Sequence, residues 1–149
     1  MTYYFDSDEF RRTGMYKNFM NIHDGTGILK VEASTASLAY PLSDVEIEVS
    51  KIFGEDKVIF YEGKTNESGI IESIILPTRK ISKEIEDVSD IFYTTYDLFA
   101  KDSKYDVEKK YDVSIFDDIK VIQPVTFPVD ELNNGEINEW KSKLSHYTY

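Results

Sequence analysis

The sequence predicts an all-β fold, an antiparallel two-sheet sandwich of about seven short strands with an N-terminal arm and a short C-terminal helix. Three observations predict it. Apolar and polar residues alternate with period two, most cleanly where Val45, Ile47 and Val49 are set against Glu46 and Glu48. Turn signals recur at near-regular spacing: Asp24-Gly25-Thr26-Gly27, Gly54-Glu55-Asp56, Thr65-Asn66-Glu67-Ser68-Gly69 and Asp117-Asp118. The segments between them are rich in β-branched and aromatic residues, which fit a pleated, half-buried surface.

Residues 1–24 form a polar–aromatic arm containing Tyr3, Tyr4, Phe5, Phe10, Tyr16, Phe19, Met20 and Ile22, with no clean helical or strand period. Exposed aromatic stretches invite association, so the arm is expected to dock on its own domain. The sandwich domain spans 25–130. Its first strand runs from Ile28 to Ala33, with Leu29, Val31 and Ala33 inward and Lys30 and Glu32 outward. Pro41 breaks the chain before the Val45–Val49 strand, and Val58 to Tyr61 is a short continuous apolar run suited to a core strand. The polar Thr65–Gly69 turn leads into Ile70 to Leu76, stopped by Pro77. From Pro77 to Ser89 the chain is charged, with Ile81, Ile85 and Val88 at helix-like spacing, and reads as either a short helix or a long loop. Ile91 to Ala100 is the next strand and Asp102 to Lys110 a charged connector. Tyr111 to Phe116 and Ile119 to Val129 close the domain, Val121, Val125, Phe127 and Val129 sharing a parity. In the tail, 131–149, Ile137, Trp140 and Leu144 stand at helical spacing after Asn134-Gly135, which predicts a short amphipathic helix.

Composition narrows the classes of function. A chain of 149 residues with 41% hydrophobic content supports one domain with a real core. A net charge of −11 lacks the Lys/Arg surplus that gripping nucleic acid or an anionic membrane requires. With no cysteine there is no disulfide, thiolate nucleophile or Cys-ligated metal. The first residues place aromatics and acids before any base, the wrong order for a secretory signal, and no run of about 18 apolar residues is present to span a bilayer. The expected location is the cytoplasm, with association at a spore or cell envelope as the alternative.

Three segments taken together resemble carboxypeptidase regulatory-like domains. Gly27-Ile-Leu-Lys-Val-Glu-Ala-Ser leading to Ala39-Tyr-Pro-Leu-Ser-Asp-Val-Glu-Ile-Glu-Val is similar to their opening strand, proline-containing hinge and second strand. Thr65-Asn-Glu-Ser-Gly resembles their "T-(D/N)-E-x-G" turn. Val113-Ser-Ile-Phe-Asp-Asp-Ile-Lys-Val-Ile-Gln-Pro-Val is similar to the closing strand pair of small bacterial versions, some of which accompany spore cortex-lytic proteins. The resemblance covers Gly25 to Val129 and implies a transthyretin-like sandwich serving as a non-catalytic module for adhesion, folding or docking. An enzyme is also built on that fold, hydroxyisourate hydrolase, which depends on histidines, an arginine and a C-terminal Tyr-Arg-Gly-Ser. This chain instead has His146-Tyr147-Thr148-Tyr149, so that activity is not expected.

No motif for catalysis emerges from the residues themselves. His23 and His146 stand near opposite ends, without the short spacing of a paired zinc site, and read as surface histidines. Glu46 and Glu48 read as the solvent face of a strand rather than a glycosidase pair, whose carboxyl separation no sequence displays. Asp117-Asp118 reads as an acidic turn in preference to a calcium site. Lys30 has the strand order of an isopeptide lysine, but it lies on the outward parity and the last strand offers Gln123 and no asparagine. Gly25-Thr26-Gly27 precedes a strand, whereas a dinucleotide fingerprint opens a helix.

Aromatic residues make up 14% of the chain. Tyr93, Tyr96, Phe99, Phe116 and Phe127 fall within strands and are assigned to the core or its flanks. Tyr3, Tyr4 and Tyr16 fall outside strands and are the candidate ligand or partner contacts, since flat aromatic faces stack on sugar rings and on other side chains. The expectation is therefore a non-catalytic structural or protein-interaction module of bacterial type, without metal or cofactor. It would pair with a protein partner or with itself through an open sheet edge or the arm. A carbohydrate- or peptidoglycan-binding module is the alternative, and a hydrolase using a carboxylate pair the third reading.

Overall fold

A computed structural model describes residues 1–36, 40–80, 92–102 and 106–128. In chain order these form β1 (Thr2–Tyr4), α1 (Asp8–Arg11), α2 (Gly14–Ile22), β2 (Gly25–Thr35), β3 (Glu46–Phe53), β4 (Asp56–Lys64), β5 (Ile70–Thr78), β6 (Tyr93–Asp102), β7 (Val107–Phe116) and β8 (Lys120–Phe127). The strands build a five-stranded sheet in the order β1-β4-β3-β6-β7 and a three-stranded sheet in the order β5-β2-β8. Between them lies a single apolar core.

That core follows from the period-two pattern. Along β2, Leu29, Val31 and Ala33 are buried and the residues between them are not; along β6, Thr94, Tyr96, Leu98 and Ala100 are buried in the same way. Ile47 and Val49 from β3, Ile74 and Leu76 from β5, Val113 and Ile115 from β7, and Val125 and Phe127 from β8 complete it. Lys30 keeps its outward place, with its ammonium 3.3 Å from Glu32 and 3.9 Å from Glu72. Glu72 also pairs with Lys120 at 2.6 Å, and that hydrogen bond, followed by the charges of Lys120 and Lys30, holds its carboxyl below the usual range.

The Thr65–Gly69 turn is the most heavily tied segment. Thr65 is buried; its Oγ1 donates to the Leu42 carbonyl (2.7 Å) and accepts from the Val45 N–H (3.0 Å), fastening the turn to the entry of β3. Asn66 Oδ1 accepts from the N–H groups of Ser68 (2.9 Å) and Ile70 (3.0 Å), an Asx-type arrangement that substitutes for strand pairing. Gly69 has φ +76° and lies against the Ala33 carbonyl, where a Cβ would come within 2.4 Å of the oxygen. Both the dihedral and the space demand glycine.

Three features differ from the sequence reading. There are eight strands among the described residues, since Thr2–Tyr4 pairs with β4 where no strand was expected. The sandwich is not wholly antiparallel: β1 runs parallel to β4, and β2 parallel to β8. A tight hairpin forces antiparallel pairing only on consecutive strands, as in β3–β4 and β6–β7; strands remote in sequence are free of that constraint. The charged connector from Asp102 to Lys110 is partly strand, β7 beginning at Val107 and pairing there with Asp102. The C-terminal helix and the stretch from residue 81 to Ser89 lie outside the described residues.

Residues 1–24 supply β1, α1 and α2. Ser7 and Thr13 are their N-caps, the side chains accepting from the N–H groups of Phe10 (3.2 Å) and Tyr16 (3.3 Å). Phe5 stacks on Phe60 at 4.5 Å between ring centroids, and Phe19 packs on Phe53 (5.1 Å) and Phe60 (5.7 Å). Phe60 in turn meets the ring of Tyr96 edge-on at 4.9 Å. This aromatic cluster carries α2 against the β3–β4 hairpin.

Candidate functional site

Where α2 meets that hairpin the surface is concave and apolar. Met15, Phe19, Ile22, Ile52, Phe53 and the bend at Gly54 line a cleft of about 530 Å³, within the range of small-molecule sites. Ile22 and Ile52 on its rim are both more than half exposed. Asn18, His23 and Lys51 are its polar lining.

Lys51 reaches this place by strand parity. Ile47, Val49, Lys51 and Phe53 alternate along β3, and the first two are core residues. The lysine therefore sits on the apolar side of its strand. Its Nζ donates to the Thr95 carbonyl at 2.7 Å and stands 5.7 Å from the centre of the Tyr96 ring. Burial pushes this amine below the ordinary lysine range, with Asp97 opposing the effect. Asp97 is also engaged by Lys110 at 3.5 Å.

His23 is the C-cap of α2 and stacks on Phe19 with centroids 4.0 Å apart. Its Nδ1 lies 2.8 Å from the Phe19 carbonyl oxygen. Two lone pairs would repel there, so Nδ1 carries the proton and donates, a tautomer assigned from its partner. Nε2 is left with its lone pair, and among the described residues it has no hydrogen-bond partner. Burial pushes the imidazole below the usual histidine range; the Phe19 carbonyl opposes this, and the positive charges of Arg79 and Lys51 reinforce it. The cleft thus combines an apolar wall, an amine and a neutral imidazole with a free acceptor.

A second concavity, of about 560 Å³, lies on the outer face of the five-stranded sheet, lined by Glu46, Glu48, Lys57, Glu62, Lys64, Phe99 and Lys101 among others. Acidic and basic side chains are interspersed there: Lys57 pairs with Glu48 at 2.8 Å and lies 5.0 Å from the Phe99 ring centre. Glu46 and Glu48 keep to this outer face, consistent with the alternation in their sequence.

Two of the three tyrosines meet on one ring, and Tyr4 stands apart from them. Tyr3 and Tyr16 both pack on Phe10, with centroids at 5.7 and 5.9 Å, and Arg11 lies 5.8 Å from the Tyr16 ring. Tyr4, their exposed companion, extends its hydroxyl to within 3.5 Å of Glu62. Asp117 accepts from the Thr26 N–H at 3.3 Å, and Asp118 takes a left-handed φ of 57° in the turn between β7 and β8. Among the described residues no three His, Asp or Glu side chains converge as metal ligands would, and no helix is long and apolar enough to cross a membrane. His146 lies outside the described residues.

No family model and no curated protein matches this chain. Among solved structures it is similar to the 5-hydroxyisourate hydrolase of Klebsiella pneumoniae, with a TM-score of 0.44 and 15% identity over 68% of this chain and 90% of that one. No residue role is carried across. The likeness does correct one expectation. The structure this chain is similar to is that of a hydrolase, and the expectation of a purely non-catalytic structural or interaction module is withdrawn.

Two residues of the cleft escaped the sequence reading. His23 looked like a surface histidine because its neighbours show no strand period. Lys51 carried a usable signal: extending the Val45, Ile47, Val49 parity by two positions places a lysine on the inward face.

Proposed function

We propose that this protein binds a small carboxylate- or carbonyl-bearing compound with an apolar body, seated between α2 and the β3–β4 hairpin. Lys51 donates to the ligand oxygen, and Nε2 of His23 accepts from a water bridging to it. One observation carries the reading: an apolar cleft whose lining includes His23 and Lys51, two partly desolvated nitrogen bases, in a chain whose net charge is −11. Apolar pockets with a few convergent, perturbed titratable groups are the usual form of a ligand site. The surrounding carboxylates do not repel such a ligand effectively, since salt at 0.1 M screens charges beyond about 10 Å.

Thermal denaturation with sodium octanoate, acetate and octanol tests this. Octanoate at ten times its dissociation constant should raise the melting temperature by about 4 °C. Acetate lacks the apolar body and octanol the charge, so each should do less. Lys51→Met should abolish the difference between octanoate and octanol. An equal response to all three compounds, or none, overturns the proposal.

A further inference from the structure

We infer that Lys51 forms a Schiff base with aldehydes that enter the cleft, making it a covalent carbonyl-capture site; the inference rests on the cleft being a ligand site, as proposed above. Three features of the geometry support it. The Lys51 Nζ is fixed by its hydrogen bond to the Thr95 carbonyl and lies 5.7 Å from the centre of the Tyr96 ring, so a residue lining the apolar cleft carries an amine held in place instead of swinging in water. The cleft offers an aldehyde's alkyl or aryl body the side chains of Met15, Phe19, Ile52 and Phe53. His23 lines the same cleft with its Nε2 lone pair open, because Nδ1–H is committed to the Phe19 carbonyl. A lysine in apolar surroundings is the usual form of a Schiff-base nucleophile, since its neutral form reacts.

The step balances without an oxidant or reductant. The ammonium gives a proton to His23 Nε2, directly or through water, and the free amine adds to the carbonyl carbon. Proton transfer from nitrogen to oxygen gives the carbinolamine. His23 returns its proton to the hydroxyl, which leaves as water, and a protonated imine remains. Net, one ammonium and one aldehyde become one iminium and one water. The iminium keeps one N–H, which continues to donate to the Thr95 carbonyl in place of the ammonium. Asp97, the carboxylate acting on this amine, favours the same positive charge. The positive charge of Arg79 favours return of the proton from His23.

The test is reductive trapping. The full chain is incubated with octanal and cyanoborohydride at pH 7.4, and the octylated lysines are quantified by peptide mass spectrometry. Lys51 should be labelled about tenfold faster than the other lysines, because the cleft holds the aldehyde beside an amine whose neutral form burial favours. Added octanoate should slow labelling at Lys51 and nowhere else. Uniform labelling overturns the inference. If octanoate still raises the melting temperature, the ligand site stands and only the covalent step fails; if it does not, both fall. Lys51→Arg keeps the charge at this position without the nucleophile. This variant should lose the fast phase of octanal uptake, and an unchanged fast phase would place the reactive amine elsewhere.

Discussion

At the scale of single residues, His23 and Lys51 show how burial turns ordinary side chains into reagents. The imidazole of His23 is held below its usual value of 6.5, first by burial. In the unfolded chain it protonates as pH falls through 6.5, while in the folded chain it stays neutral to lower pH. The unfolded state then binds more protons, so folding stability drops as pH falls below 6.5. Arg79 and Lys51, the cations acting on it, strengthen this trend. The urea midpoint of the wild type should therefore fall between pH 7.5 and 5.5, and His23→Gln should remove much of that fall. An equal fall in the variant would assign the acid sensitivity to the carboxylates. At Lys51 the same physics acts on an amine: desolvation favours the uncharged form, and uncharged amines are nucleophiles.

At the scale of elements, the Thr65–Gly69 turn concentrates its stability in three residues of different chemistry. Thr65→Val keeps the shape but strips partners from the Leu42 carbonyl and the Val45 N–H, a loss of about 1–3 kcal/mol for each buried group left unpaired. Gly69→Ala forces a Cβ toward the Ala33 carbonyl, and its destabilisation should exceed the roughly 1 kcal/mol of an ordinary glycine replacement. Chemical denaturation of the two variants checks both; a Thr65→Val protein as stable as wild type would show that the turn is not a clamp. The turn was readable in the sequence because Asn66 and the positive φ of Gly69 act locally, whereas the ties of Thr65 to Leu42 and Val45 reach 23 and 20 residues back. The strands of the core were readable for a similar reason, since alternation is a local pattern that burial then enforces. The two helices were not. Ser7 and Thr13 cap them, but α1 has four residues and α2 nine, too few for a 3.6-residue period to stand out among so many aromatics. The cleft was unreadable as a whole, because it exists only where α2 lies against a hairpin distant in sequence.

At the scale of the whole molecule, both sheets share one core, so damage to either is felt throughout. Leu98 is fully buried on β6 and pairs with Val49 on β3. Leu98→Ala should lower stability by about 2–5 kcal/mol in a single cooperative denaturation transition; two separated transitions would mean that the sheets melt independently. Tyr111 fastens the sheets at their seam, its hydroxyl accepting from the Thr126 N–H at 3.1 Å. The parallel pairing of β2 with β8 has a further consequence, for the order of assembly. Thr26 and Asp117, at the start of that pairing, are 91 residues apart, so β2 is synthesised early and waits for its second neighbour. Until β8 arrives, one edge of β2 presents unpaired backbone N–H and C=O groups beside apolar side chains, the template on which strands of other chains add. The late strand that seals this edge carries Pro124 opposite Glu32, a residue that cannot donate to a further strand. The nascent chain therefore passes through its most association-prone interval between the emergence of β2 and that of β8, and the interval closes with a strand poorly suited to recruiting another.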